Sequence, residues 1–451
     1  MPYIEITEID NTSPGVLSED LDVVYIPGFV DTTQSCLQDK SGEYIGIKSR
    51  VPTLFTSVSS FTTLCGTKPL QFSEKQPYPA FSPNAFPPEG CMFNEGDYDP
   101  SYIMAKELLS AGLNVLYERI NPDTAGSVES MYQTLEDVFD TSARDGLGDK
   151  GNYGIKYLTS GGYPVYEYNN GSLVTKMLNL AKTRGDCVAI IDHTDNPDRE
   201  SNIDRPGSIY SVVRTDVTFD GGEDSLGAYG AMFTPWAWYN RTTSDKDGDK
   251  LITTHTSVKM SGGYAYLAAL ADSIKTNAPW LAVAGSVRGV VRNLAQNGMT
   301  TYISNGAADA MQPRNDGVSV NAITNIKPYG YTIWGNRTLR RNGENLVATS
   351  FLNIRNLVSD VKKVCYRAAR KLTFEQNNDV LWVNFKAEIA PTLDRMVSGY
   401  GLSGYKLIRD TAHEKAAEKA TLCAKIFLYP VYPVEDFYVT ILLQDDEVSV
   451  E

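Results

Sequence analysis

"NGSLVTKMLNLAKTRGDCVAIID", Asn170 to Asp192, sets the fold class. Ser172 stands where a helix N-cap belongs, and Leu173, Met177, Leu180 and Ala181 recur at helical spacing. Gly185 follows as a stop, and Cys187–Asp192 then reads as a short strand, apolar up to its final residue. The same order recurs upstream. In "DYDPSYIMAKELLSAGLNVLYERI" Asp99 is the N-cap, Pro100 takes the first helical position, Gly112 ends the helix and Leu113–Ile120 is the strand. Earlier still, "DVVYIPGFV" (Asp22–Val30) reads as a buried strand broken by Pro27-Gly28. Helix-to-strand units joined by short glycine turns predict an α/β core with parallel strands.

The C-terminal part has a different character. "FLNIRNLVSDVKKVCYRAARKL" (Phe351–Leu372) is amphipathic, with Ile354, Leu357, Val361, Val364, Cys365, Ala368 and Leu372 on one face. The opposite face carries Arg355, Lys362, Lys363, Arg367, Arg370 and Lys371. A second helical run covers Val380–Gly401, and two strand candidates follow, Lys425–Leu428 and Phe437–Leu443, separated by Pro430 and Pro433. Polar stretches at Thr141–Asn152, Asn196–Gly222 and Thr242–Thr256 read as surface excursions.

With 451 residues, on the order of two to four domains are expected. A hydrophobic fraction of 42% is ample for packed cores, and a net charge of −14 argues against a main role on duplex nucleic acid. No apolar run approaches the roughly 20 residues of a membrane span. The start lacks a basic, apolar leader, so no export is expected. Six scattered cysteines without a C-x-x-C pair read as free thiols of a reducing compartment.

Catalytic constellations are not evident. The best cluster is "IIDHTDNPDRE", where Asp192 and His193 lie just past a strand end, a plausible metal or active-site position in α/β folds. A polar turn after a buried strand is the plainer alternative. "DKDGDK" starts like a calcium loop, but Lys250 and Thr256 occupy the positions that require Gly and Glu. Phosphate loops, dinucleotide fingerprints and nucleophile elbows are missing. No catalytic residue, cofactor or resident metal is therefore expected.

Several segments in order resemble the sheath proteins of contractile phage tails and related injection machines. "VVYIPGFVDTT" is similar to the family's opening strand and glycine turn, and Ser60, Phe61 and Gly66 to its next pattern. "SYIMAKELLSAGLNVLYERI", "RGDCVAIID" and the Pro235-Trp236 segment resemble its next elements; Ala278, Pro279, Ala284, Gly285, Arg288 and Gly289 follow. The fullest resemblance is "NIKPYGYTIWGNRTL", through Asn325, Gly330, Trp334, Gly335, Arg337, Thr338 and Leu339. Asn353, Ile354 and Arg355, then Phe374, Glu375, Asn377, Leu381 and Trp382, and finally Pro430, Pro433, Glu435 and Phe437 complete it.

The resemblance implies a non-enzymatic, multi-domain α/β fold with a mixed-sheet core, an exposed outer subdomain and a C-terminal α/β domain with extended arms. The expected division is an N-terminal arm at 1–20 and a central and outer region at 21–330, with surface insertions near 121–170, 196–225 and 240–260. A C-terminal inner domain at 331–451 ends in a strand arm. Implied partners are further copies in stacked hexameric rings, a tail tube, and baseplate and terminator proteins, with no direct nucleic acid and no membrane insertion. The implied place is the virion tail, assembled in the host cytoplasm.

Arms that donate strands to neighbouring copies are implied for Tyr3, Ile4 and Ile6, and for Phe437, Val439 and Ile441; pairing within one subunit is the alternative. Lys362, Lys363, Arg367 and Arg370, with Arg340 and Arg341, are candidates to face an acidic tube. A solvated helix face, or pairing with a neighbour's "QDDEVSVE", is the alternative. Gly330 and Gly335 are expected as turn glycines of a structural joint, where Trp334 packs and Arg337 ties the chain by hydrogen bonds.

Overall fold

The structure, a computed structural model, describes residues 22–29, 37–38, 44–66, 99–120, 128–140, 145–163, 172–192, 226–247, 250–313, 318–340, 346–411 and 421–435. Strand β1 (Val23–Gly28) is followed by a small ribbon of β2 (Leu37–Gln38) and β3 (Tyr44–Ile45), then by β4 (Thr53–Phe55) and helix α1 (Val58–Cys65). Helix α2 (Pro100–Ala111) leads into β5 (Asn114–Arg119), α3 (Val128–Phe139) and a single turn, α4 (Asp145–Gly148). Next come β6 (Tyr157–Leu158), α5 (Ser172–Arg184), β7 (Val188–Asp192) and β8 (Gly230–Thr234). A long hairpin, β9 (Ala237–Asp247) and β10 (Lys250–Met260), precedes α6 (Gly262–Ile274), α7 (Gly285–Arg288), β11 (Leu294–Met299) and α8 (Asn305–Ala310). The hairpin of β12 (Asn321–Ile326) and β13 (Gly330–Trp334) follows, then α9 (Leu352–Leu372), α10 (Asp379–Ser398), β14 (Leu402–Arg409) and β15 (Ala424–Pro430).

One eight-stranded mixed sheet dominates, in the order β13-β12-β8-β7-β6-β1-β5-β4. The six inner strands are parallel and the two edge strands antiparallel. Parallel strands covered on both faces need apolar side chains on both, which is why β1 and β7 read as continuous apolar runs. Alternate residues feed opposite cores. Ala189 and Ile191 pack with α3 and α5, while Val188 and Ile190 pack with α2 and α6.

The local signals at three helix ends act as the sequence predicts, whereas Ser172 is not an N-cap but the first residue of α5, and its buried Oγ has no hydrogen-bond partner among the described residues. Asp99 accepts the Ser101 N–H at 2.9 Å, and Gly112 takes a left-handed φ of 100° at the end of α2. Gly185 does the same after α5, with φ of 70°. The expected surface insertion near 121–170 is corrected. Leu135, Val138 and Phe139 of α3 are core residues, and β6 is an inner strand between β1 and β7. β6 is only two residues long, too short to show a period of its own. Of the other expected insertions, 196–225 lies outside the described residues. The 240–260 stretch belongs to the β9–β10 hairpin, with β11 along its base.

Candidate functional site: the joint between the sheet and the C-terminal unit

From β1 the chain first pairs β5 on one side, then returns to place β6 on the other. Where parallel strands diverge in this way, α/β proteins usually open a crevice beyond the strand C-termini. Here that place is filled. Asp99 accepts hydrogen bonds from Tyr163 Oη at 2.6 Å and from Ser101. Asp192 accepts from Ser160 Oγ and the Gly263 N–H, each at 3.2 Å. Burial pushes both carboxyls up to about 6. A Cβ on Gly28 would stand 1.8 Å from Ser101 Oγ, and one on Gly161 would stand 2.2 Å from the Pro27 carbonyl oxygen. The Asp192 carboxylate is thus engaged by its own chain, and His193 lies outside the described residues. Among the described residues no group of three His, Cys, Asp or Glu side chains is placed to hold a metal ion.

The chain leaves the large sheet after Trp334, four residues beyond the boundary expected at 330/331, because Gly330–Trp334 pairs with β12. Gly330 is a turn glycine, with φ of 87°, but in the β12–β13 hairpin itself. Gly335 serves close packing instead: a Cβ there would meet Gln312 Nε2 at 2.1 Å. Trp334 is 37% exposed, and its indole N–H donates to Asp309 at 2.9 Å, so it lies at the rim and not inside the joint. An outer-edge strand leaves this alternate side chain beside α8.

Arg337 is the centre of the joint. Its N–H donates to Asn321 Oδ1 and its carbonyl accepts from Asn321 Nδ2, both at 2.8 Å. The guanidinium lies 4.5 Å from the Phe351 ring centre, and its Nε donates to Glu435 Oε1 at 3.1 Å while Nη2 donates to Oε2. Leu339 N–H donates to Gly230 O, Thr338 N–H to Ser350 O, and Leu352 N–H to Asn336 O. One short segment therefore ties β8, β12, the start of α9 and the end of the described chain.

Helix α9 crosses from the sheet into the C-terminal unit. Its first half lies against the amino ends of the inner strands. Asn356 Nδ2 donates to the Tyr157 and Tyr266 hydroxyls, and Asp360 pairs with Lys156 at 3.0 Å. Lys156 also pairs with Asp22 at 2.9 Å. Arg355 stacks on Tyr229, 3.5 Å from its ring centre. Lys363 departs from the expected outward basic face: it is buried, and Nζ has no acceptor in hydrogen-bond reach among the described residues. Burial holds this lysine down at about 8, with Asp360 and Asp186 opposing the shift and Lys156 adding to it. The helix turns position 363 toward the strand ends, whereas Lys362, Arg367 and Arg370 stay exposed. Arg370 donates to the Gly151 carbonyl at 3.1 Å.

The second half of α9 packs with α10 and with the β14–β15 pair. Leu357 and Val361 join Trp280, Leu393, Met396 and Leu402, and the Trp280 indole N–H donates to Gly399 O at 2.8 Å. Among the described residues β14 and β15 pair only with each other. Phe427 and Tyr429 of β15 are exposed on its outer face. Tyr3, Ile4, Ile6, Phe437, Val439, Ile441 and Arg341 lie outside the described residues. Sequence reasoning missed the strand β14 and the organising roles of Asn321 and Lys156. A buried Asn inside the apolar run before "AITNI" was the available signal for the first; Lys156 carried none.

Residues 348–444 match the family described as the phage tail sheath C-terminal domain. The tail sheath protein of Vibrio phage KVP40 is 23% identical over 184 residues, 40% of this chain. That alignment spans 26%, about a quarter, of the curated relative's length. A chain in the cryo-EM structure of the anti-feeding prophage baseplate in its contracted state shares the fold at a TM-score of 0.62 and 17% identity, over 98% of this chain and 97% of that one. A chain of the PVC sheath complex of an extracellular contractile injection system, also contracted, does so at 0.58 and 15% identity, over 99% and 98%. Residues 348–444 are thus similar to the phage tail sheath C-terminal domain, and the whole chain shares its fold with chains of contractile injection systems.

Proposed function

We propose that this chain is the structural subunit of a contractile tail sheath, with no catalytic role. Copies stack as hexameric rings around a tail tube, meet baseplate and terminator proteins at the two ends, and contract to drive the tube through a host envelope for genome delivery. The reading places the protein in the virion tail, after assembly in the host cytoplasm. Residues 331–451 act as the inner domain, and 21–330 as the central and outer region.

The observation that carries this reading is the β14–β15 pair. A two-stranded sheet is marginal alone, and its two outer edges are templates for further strands. Strands donated by the 1–20 arm, through Tyr3, Ile4 and Ile6, and by Phe437, Val439 and Ile441 of neighbouring copies would complete it. Main-chain hydrogen bonds of that kind tether copies while they move past one another. Lys362, Arg367 and Arg370 supply exposed positive charge for an acidic tube.

Electron microscopy of the purified chain should show striated hollow tubes, and a chain lacking residues 1–11 should remain folded by circular dichroism yet form none. Monodisperse particles from the intact chain at every concentration, or tubes of normal length from the shortened one, would count against the reading.

A further inference from the structure

After β15 the chain does not leave the molecule at the edge of the small sheet. Val431 N–H donates to Gly401 O at 3.1 Å, the Tyr432 ring meets Phe351 edge-on at 5.3 Å, and Glu435 reaches Arg337. The five residues 431–435 thus return to the joint, where the side chain of Arg337 is 1% exposed and that of Glu435 29%. A sequestered guanidinium requires a counter-charge, and Arg337 presents two parallel N–H groups that match a carboxylate. Arg337 itself is fixed through Asn321 to the inner sheet and through Phe351 to the start of α9. Strand candidate Phe437–Leu443 begins two residues beyond Glu435.

We propose that Arg337 and Glu435 are positioning residues for assembly: their ion pair fixes the point and direction from which the C-terminal strand departs toward a neighbouring copy. The pair acts by pre-organisation, since an arm that starts from a fixed root loses less freedom on pairing than one that starts at Pro430. This rests on the sheath reading for the identity of the acceptor, a second copy of the same chain. The anchor itself rests only on the geometry of the joint.

Full-length Glu435→Gln keeps the size of the side chain and removes its charge. Two readouts separate anchoring from general stability. In limited chymotrypsin digestion of the unassembled chain, cleavage after Phe437 and Tyr438 is compared with cleavage after Phe374, which is 100% exposed and serves as internal reference. Light scattering gives the protein concentration at which tubes begin to form. Glu435→Gln should raise the cleavage ratio and the onset concentration at least about tenfold each, the scale expected when one partner of a buried pair is removed. Glu435→Asp, which retains a carboxylate, should recover most of both.

An unchanged ratio overturns the anchor. So does an equal rise at Phe374, which would make Glu435 a general stabiliser. A raised ratio with unchanged onset overturns the role in assembly. If the unaltered chain forms no tubes the sheath reading fails, while the cleavage ratio still decides whether the anchor exists.

Discussion

Asp192 ends an inner strand where α/β proteins often keep a reactive carboxylate, yet Ser160, Ser261 and Gly263 hydrogen-bond its carboxyl. Desolvation favours its protonated form in the fold, with a value near 6 against 3.8 when exposed. A carboxyl raised in this way stabilises fully below about pH 4, and that contribution is lost as pH rises through 6. Asp192→Asn can keep the hydrogen bonds, because the serine hydroxyls can accept as well as donate. The variant should match the parent near pH 4 and exceed it in urea denaturation at pH 7.5 by up to about 3 kcal/mol, two pKa units' worth. Equal stability at both pH values would contradict the burial argument. The sequence placed this residue correctly at the end of a buried strand. Its engagement was illegible, because Gly263 lies 71 residues away and Ser160 lies 32 away.

Helix α9 was the easiest element to read and held the clearest surprise. Its apolar face, Ile354 through Leu372, follows from periodicity alone, but periodicity treats Lys363 as outward. A second surface, the strand ends carrying Asp186, Lys156 and Asp22, covers a further face of the first half of the helix and takes in Lys363. Lys363→Met tests this. A lysine held near 8 against 10.5 stabilises only above 10.5 and loses that contribution as pH falls through 8, so its ammonium is a burden at neutral pH. The substitution should raise stability at pH 7 by about 2–3 kcal/mol, with the gain shrinking toward pH 10. It should leave tube-dependent assembly unchanged, whereas Arg367→Glu with Arg370→Glu should weaken it. A loss of stability at pH 7 would show that Lys363 has a partner in the fold. Strand β6 failed for the opposite reason, since two residues between β1 and β7 carry too little pattern to announce an inner strand.

The proposed assembly would depend on surfaces that one copy leaves uncovered. Phe427 and Tyr429 stand exposed on β15, a costly arrangement for a lone chain and an ordinary one for a chain that acquires neighbours. Replacing both with serine should shift unfolding of the isolated chain by no more than about 1 kcal/mol, as is usual for exposed positions. Tube formation in the same preparation should fall sharply. Tubes that form at the parental concentration would mean this face stays in solvent. The α/β class and the order of helix and strand were readable because caps, glycine stops and apolar runs are local. The joint was readable only in part: its residues cluster in sequence, but the ion pair that closes it links positions 337 and 435.

The continuity of α9 has a mechanical meaning. Its 21 residues make a rod about 30 Å long, clamped at one end among the strand ends and at the other between α10 and β14. Turning the C-terminal unit against the large sheet would require pulling Asn356, Asp360 and Lys363 out of their burial or breaking the rod. In the proposed sheath a copy would therefore move as a stiff lever, and the work of contraction would be held in the contacts between levers, not as a spring wound inside each one.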